Sequence, residues 1–351
     1  MHMADALINP VVGGTCWAAS AAGIAYCARK VAKTRDDRLV PMMGVLGAFV
    51  FAAQMINFSI PATGSSGHIG GGLLLAILLG PHAAFLVIAS VLAVQALFFA
   101  DGGLLALGCN ILNLGFFPAF LAYPFVYRPL AGGATGGGRL WAASVAAAVV
   151  GLQLGAFAVV VETKLSGISE LPFGTFLLLM QPIHLAIGVV EGLATAAVVV
   201  FVAKARPEAL APLAAGATAR PGWKPVVVGL ALAAVVVGGI GSWFASSHPD
   251  GLEWSMAKVT GQEEMVGAAS GLHGKVAGLQ EKTALLPDYS FPEAEPEGVA
   301  KDQVAAEHEA WPAVSAGTSV SGLVGGGIVL LVAGLLAVVL KPRKSPDSAG
   351  S

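Results

Sequence analysis

The sequence predicts an all-α polytopic membrane protein: a seven-helix bundle, then two additional C-terminal transmembrane helices flanking an extracytoplasmic loop. Three observations predict it. Of 351 residues, 56% are hydrophobic and only 11% charged, less than half the ~25% charge of a soluble domain. Mean hydropathy is +0.78. Nine apolar stretches divide the chain, most of them close to the ~20 residues a helix needs to cross a ~30 Å hydrocarbon layer.

The longer stretches fall at 11–28, 39–58, 83–100, 104–127, 140–161, 173–203, 225–244 and 320–340. The remaining one, 69–79, has about two-thirds of the crossing length and predicts a short or tilted helix, or a re-entrant piece. Counted as nine crossings, fourteen of the nineteen basic residues fall on one side, while Lys164 and Lys258, Lys275, Lys282 and Lys301 of one long loop, where the rule has little force, fall on the other. Arg29, Lys30, Lys33, Arg35 and Arg38 follow the first stretch, Arg128 and Arg139 the fifth, Lys204, Arg206, Arg220 and Lys224 the seventh, and Lys341, Arg343 and Lys344 the last. All of these share one side, which the positive-inside rule makes cytoplasmic. The N-terminus, the 59–68 loop, the turn at Asp101 and the segment 246–318 then lie outside, and the C-terminus inside. Met1-His2-Met3-Ala4-Asp5 lacks the basic n-region of a signal peptide, so these residues are expected to stay in the mature chain.

Composition divides the protein into residues 1–206, an Ala/Pro/Gly-rich cytoplasmic linker at 207–224, a second unit at 225–344, and a tail at 345–351. The external loop 246–318 holds twelve acidic residues against four lysines. Such a stretch predicts a largely solvated loop, or weak collection of cations by its field. Cys16, Cys27 and Cys109 stand in apolar runs at no metal-ligand spacing and predict small buried core residues. Nothing in the charge distribution marks a nucleic-acid partner. The partner that composition does demand is the lipid bilayer.

His2 follows Met1 directly. A free α-amine, the next amide nitrogen and the imidazole of residue two can chelate one ion in two fused rings. The amide must lose its proton, which Ni²⁺ and Cu²⁺ promote. The result is a planar nitrogen set with one corner open, a geometry that suits those ions better than tetrahedral Zn²⁺. A candidate for the open corner is His68, in the external segment Gly64-Ser65-Ser66-Gly67-His68-Ile69-Gly70-Gly71-Gly72. Irregular backbone at membrane depth is tolerated only where protein buries it or it lines a cavity. Taken singly, each histidine reads equally well as incidental. Their shared side of the membrane makes the pair a candidate site.

Met1-His2-Met3-Ala4-Asp5-Ala6-Leu7-Ile8, the 64–72 loop, and Phe98-Phe99-Ala100-Asp101-Gly102-Gly103 with Gly108-Cys109-Asn110 resemble the NikM/CbiM family. These are substrate-specific (S) membrane components of nickel and cobalt energy-coupling-factor transporters. The resemblance covers about residues 1–204. It implies a seven-helix S component that holds metal through the Met1 amine, the His2 amide and imidazole, and the His68 imidazole. Pro249-Asp250-Gly251-Leu252-Glu253 is similar to the PDGLE signature of the NikN accessory component. A NikM–NikN fusion favours Ni²⁺ as the transported ion over Co²⁺, which would feed cobalamin synthesis. The chain has no Walker A pattern. The resemblance therefore implies a separate transmembrane coupling (T) protein and a cytoplasmic ATPase (A), all at the cell inner membrane.

Other residues draw weaker readings. His184 and Glu191 share a face of the seventh span, as a transit site or as a strut between helices. Gln54, Asn57, Asn110 and Asn113 are polar residues in apolar helices and candidate supports for the metal loop. Asp101 reads as a capping residue at a turn, and His82 as a helix-start residue. His248, His273 and His308 lack paired spacing. A rival from another class is an intramembrane serine protease, with Ser66 of Gly64-Ser65-Ser66-Gly67 as nucleophile and His184 as base; it leaves His2 unexplained. A plain channel or scaffold is the third reading.

Overall fold

The computed structural model describes residues 2–34, 36, 38–134, 136–205, 224–265, 267–291 and 311–340. Among these, each apolar stretch contains a helix. They are α1 (Pro10–Val31), α2 (Leu39–Gln54), α3 (Gly72–Leu79), α4 (Pro81–Phe98), α5 (Leu107–Ala131), α6 (Gly137–Ser166), α7 (Phe173–Ala205), α8 (Lys224–Gly239) and, last in the chain, Ala316–Leu340. Two further helices, α9 (Gly251–Thr260) and α10 (Gly271–Thr283), lie between α8 and that last helix, which is therefore α11. Six helices are long and apolar enough to span a bilayer: α1, α4, α5, α6, α7 and α11. The protein is a multi-pass membrane protein.

Local chemistry sets the ends. The Asn9 side chain accepts from the Val12 amide at 2.8 Å and Pro10 takes the first position of α1, where its missing N–H costs nothing. Gly80 and Pro81 separate α3 from α4. Within α5 the chain winds as a π-helix through Leu112–Tyr127, which contains Pro118 and Pro124. Proline cannot supply the usual backbone donor, and the wider winding accommodates both rings.

The short stretch departs from a full crossing. Helix α3 has eight residues, about 12 Å at 1.5 Å per residue, whereas the eighteen of α4 reach about 27 Å. The difference is made up by irregular chain and a small antiparallel hairpin, β1 (Phe58–Ile60) with β2 (Ser65–Gly67), in which Ser59 faces Ser66. This re-entrant segment carries His68 into the bundle.

Helices α8 and α11 pack on α2, whose residues are almost all buried. An added Cβ at Gly47 would fall 2.9 Å from Val329 of α11. Their opposite faces, with Val228, Leu232, Val235, Val338 and Val339 exposed, are apolar as lipid requires.

The described part of the external loop is largely exposed, as a solvated loop predicts, but it is partly helical and docked on the bundle. Helix α9 packs on α7, and α10 on α4. Leu252 and Met256 are buried. The Leu285 and Leu286 amides donate to the Phe98 carbonyl, and the Asp288 amide to that of Phe99. The backbone groups left open at the end of α4 thereby find partners. The acidic run beyond Phe291, with His308, lies outside the described residues, as do the linker and the C-terminal tail.

Candidate metal centre

Residues 2–8 are laid into the end of the bundle, with Met3, Leu7 and Ile8 fully buried. The Met3 amide donates to Asn110 Oδ1 at 2.8 Å, and its carbonyl accepts from Asn110 Nδ2 at 3.2 Å and from the Gly103 amide at 2.9 Å. Asp5 accepts from the Ala106 amide at 2.9 Å. This end of the chain, which closes in a short 3₁₀ turn at Asp5–Leu7, is thus held by the 100–110 segment. His273 adds a bond from its Nε2 to the Ile8 carbonyl at 2.8 Å.

His68 arrives from the other side. Gln54, at the end of α2, donates to the Gly70 carbonyl at 2.8 Å. Glu191 of α7 accepts from the Gly70 amide at 2.8 Å and the Gly71 amide at 3.1 Å. Gly71 has φ 77, a left-handed conformation that glycine adopts without a Cβ penalty. That turn aims both amides at one carboxylate. Glu191 therefore does not pair with His184, whose Nδ1 bonds the Met180 carbonyl at 2.8 Å. The shared helical face expected for the two is real, but only Glu191 holds the loop. Ser66 Oγ donates to the His248 carbonyl at 2.7 Å, not to an imidazole.

The structure brings His2 and His68 together. Their rings stack with centroids 5.0 Å apart and planes 25° apart. His2 Nδ1 meets Asp101 Oδ1 at 2.8 Å, while His2 Nε2 is buried with no hydrogen-bond partner. Met1 lies outside the described residues. Asp101 is more than the turn cap its two glycines suggested. Ala100, at φ 56, bends the chain, and Asp101 pairs with His2 and accepts from the Tyr289 hydroxyl at 2.5 Å. Gln95 joins Tyr289 to Gln54 at 3.3 and 2.9 Å. A polar relay thus runs from the His68 loop to Asp101.

The pentapeptide at 249–253 forms the roof. Asp250 caps α9, accepting from the Leu252 and Glu253 amides at 2.7 and 3.0 Å, while Glu253 accepts from the Asp250 amide at 2.7 Å. This reciprocal pair is a capping box. The Pro249 carbonyl accepts from the Ser66 amide at 2.8 Å, and Trp254 Nε1 donates to the Thr63 carbonyl at 2.9 Å. At Gly251 an added Cβ would stand 2.6 Å from Ile183 and 3.2 Å from His184. Only glycine lets the start of α9 lie this close to α7.

Together these elements enclose a chamber of about 550 Å³, lined among others by His2, His68, Asp101, Asp250, Glu253 and Tyr289. Burial, before any neighbouring charge, pushes the His68 imidazole down to about 3. It therefore presents a neutral ring, the form that ligates metal. Burial alone would raise Asp101, but the charge and hydrogen bond of His2, with the Tyr289 hydroxyl, hold it well below the usual carboxylate range. Burial and the adjacent Asp250 push Glu253 up to about 7. Imidazole and carboxylate donors gathered in one chamber suit a divalent transition ion.

Of the residues expected from sequence, His2 and His68 converge, Gln54 and Asn110 support the segments that carry them, and Asn57 and Asp101 line the chamber. Sequence reasoning missed Tyr289 and the position of Asp250. The pentapeptide was the signal for the second. For Tyr289 no local pattern existed.

A helical bundle of this kind, with a nitrogen- and carboxylate-lined chamber at one end, defines a membrane metal-transport component. The chain belongs to the CbiM family, cobalt uptake substrate-specific transmembrane region, which matches residues 2–209. A PDGLE domain matches residues 224–342. The fused nickel transport protein NikMN of Rhodobacter capsulatus is 30% identical over 83% of this chain and 88% of its own. An Archaeoglobus fulgidus homologue provisionally given the same NikMN name is 32% identical over 94% of this chain and 96% of its own. The cobalt transport protein CbiM of Geobacter sulfurreducens is 32% identical over 66% of this chain and 68% of its own. A crystal structure of a transition metal transporter superposes with TM-score 0.52 at 31% identity, covering 58% of this chain and 93% of that one. The chain is a nickel/cobalt transport component of the CbiM/NikM type.

Proposed function

We propose that this chain is the substrate-capture component of an ATP-driven energy-coupling-factor nickel importer. In this reading it holds Ni²⁺ through the Met1 amine, the His2 amide nitrogen and imidazole, and the His68 imidazole. The observation that carries the reading is the stacked His2–His68 pair at 5.0 Å. On a planar ion with ~2.0 Å bonds, nitrogens at neighbouring corners lie ~2.8 Å apart. Two imidazoles at adjacent corners therefore need their rings side by side.

A fused six-membered ring closes only through His2 Nδ1, the atom that meets Asp101 at 2.8 Å. Chelation requires the ring to turn about Cβ–Cγ from that position and exchange the Asp101 contact for metal. Deprotonation of the amine and the amide accompanies binding, so capture weakens as pH falls. All-nitrogen ligation disfavours Mg²⁺ and Ca²⁺, which take oxygen ligands.

Residues 1–206 form the capture unit, and 225–344 a NikN-like unit joined to it by the 207–224 linker. The chamber opens on the extracytoplasmic side of the cell inner membrane, and the C-terminus is cytoplasmic. Separate T and A partners supply the ATP-driven movement that releases the ion inward. The PDGLE match and the NikMN relatives support nickel. Cobalt is the second reading, supported by the named CbiM relative.

The test is metal content and Ni²⁺/Co²⁺ competition on purified protein with its native N-terminus, with the N-terminus acetylated, and with His2→Ala or His68→Ala. The native chain should hold one Ni²⁺ at this site and each altered form should lose at least ~100-fold in affinity there, roughly two ligand bonds' worth of coordination. Full nickel loading by the acetylated chain would refute the amine ligand and with it this site.

A further inference from the structure

One cluster of ligating side chains plays no part in that site. Cys16 on α1, Cys109 on α5 and Glu162 on α6 bring two sulfurs and a carboxylate oxygen within 4.8 Å of one another. All three thiols of the described chain are free. Sequence spacing offered no hint, because the three residues come from three helices. Cys109 and Cys27 are buried in the core and Cys16 packs against it, as expected, with Cys27 near the other end of α1.

We propose that Cys16, Cys109 and Glu162 form a second cation site, for a thiophilic divalent transition metal. It stands on the thiols and the carboxylate alone, independently of the N-terminal chelate. Ligands around a tetrahedral ion with ~2.3 Å bonds sit ~3.8 Å apart. Cys16 Sγ and Glu162 Oε1 are already 3.8 Å apart, and no atom of the set has more than about an ångström to move. Thiolate and carboxylate together select Zn²⁺, Co²⁺ or Ni²⁺ over Mg²⁺ or Ca²⁺.

The surroundings point the same way. Cys109 and Asn113 are fully buried, and Glu162 is nearly so. A carboxylate inside a membrane bundle is costly and marks a functional position, yet among the described residues no ion pair involves Glu162. Its other oxygen accepts only from Asn113 Nδ2, at 2.8 Å. Asn113 Oδ1 is itself buried without a partner, a further oxygen donor beside the cluster. The same Asn113 Nδ2 lies 3.9 Å from the Met3 sulfur, and Met3 is clamped to Asn110, next to Cys109. The cluster therefore adjoins the residue that follows His2, and an ion leaving the His2 chamber past Met3 would meet it.

Charge balances without a counter-ion. With Glu162 ionised and both thiols neutral, the cluster carries one negative charge. Binding a dication with release of both thiol protons to solvent leaves one negative charge again. Exchange of one M²⁺ for two H⁺ adds no net charge to a low-dielectric interior, which is the condition that makes occupancy affordable there.

The test is Co²⁺ titration of the purified full-length protein under reducing, anaerobic conditions, read by the near-ultraviolet thiolate-to-cobalt charge-transfer band. The native chain, His2→Ala and Cys27→Ser should all show the band. Cys16→Ser combined with Cys109→Ser should lose it, and Glu162→Gln should weaken Co²⁺ about tenfold, the effect of one ligand contact. On the native chain, Cd²⁺ should protect the half-buried Cys16 from N-ethylmaleimide, mapped by peptide mass. No charge-transfer band at saturating Co²⁺, a band that survives the double serine variant, no protection of Cys16, or isolation of Cys16 and Cys109 as a disulfide would each overturn the proposal. Loss of the band in His2→Ala would show that the thiols have no site of their own. Nickel bound by the double serine variant keeps the N-terminal reading distinct.

Discussion

The two segments that close the chamber are built on opposite principles. The His68 loop is glycine-rich and carries no acidic or basic side chain besides the neutral imidazole. It is held from beneath by Gln54 and Glu191, groups belonging to the membrane bundle. The roof, from Asp250 to Tyr289, is acidic and comes from the second unit. It docks largely through backbone: the Pro249, Phe98 and Phe99 carbonyls, and the Ser66 and Asp288 amides. The floor thus fixes where a neutral imidazole stands, while the roof brings negative charge to the same chamber. In the proposed site, positioning of the metal ligand and attraction of the cation fall to different parts of the chain, which meet where the Ser66 amide donates to the Pro249 carbonyl.

Disrupting the floor should have the largest effect. Glu191→Gln leaves one oxygen to serve two amides. Charge-assisted bonds contribute about 1.5–3 kcal/mol each, so Ni²⁺ affinity measured by calorimetry should fall about 10- to 100-fold. Unchanged affinity would mean that the loop holds its own shape. Undocking the roof should cost less. Gly251→Val places a side chain against Ile183 and His184, an overpacking of about 1–3 kcal/mol. Metal uptake by cells should drop about tenfold while equilibrium affinity moves by less; equal loss of both would erase the division between floor and roof.

Tyr289→Phe removes the hydroxyl that joins Asp101 to Gln95. A net cost of about 1 kcal/mol predicts a change of about fivefold in Ni²⁺ affinity, and no effect at all would exclude the relay. The finest test concerns pH. His68 titrates near 6.5 when unperturbed and is pushed down to about 3 by burial. Its neutral ring is therefore present throughout the range from about pH 5 to 8. The unfolded chain takes up this proton more readily, so the stability tied to His68 is complete above 6.5 and is lost as pH falls from there through about 3. The factor by which His68→Ala weakens Ni²⁺ should accordingly be the same, within about twofold, at about pH 6 and about pH 8. A factor that shrinks at the lower pH would show that His68 itself competes with protons.

The amino-acid sequence by itself determined the membrane class and the helical stretches, and it drew attention to His2, His68 and the 249–253 pentapeptide. Those features are local. A hydrocarbon layer imposes ~20 apolar residues per crossing, and a second-position histidine or a Pro-Asp-Gly-Leu-Glu run needs no knowledge of anything distant. Even the departure of α3 was foreshadowed, since a stretch too short to cross has to be supplemented by re-entrant chain.

Only the tertiary structure decided what meets what. Tyr289 reaches Asp101 across 188 positions and Cys16 reaches Glu162 across 146. Glu191 turned from a presumed partner of His184 into the anchor of the His68 loop, and half of an acidic loop became a roof. In an interior where van der Waals fit ranks one helix arrangement above another and polar groups seek whichever partner that arrangement supplies, the sequence shows that a buried Glu162 or Asn113 must find a partner. Which side chain answers is set by the crossing of α1, α5 and α6, and no spacing along the chain encodes it.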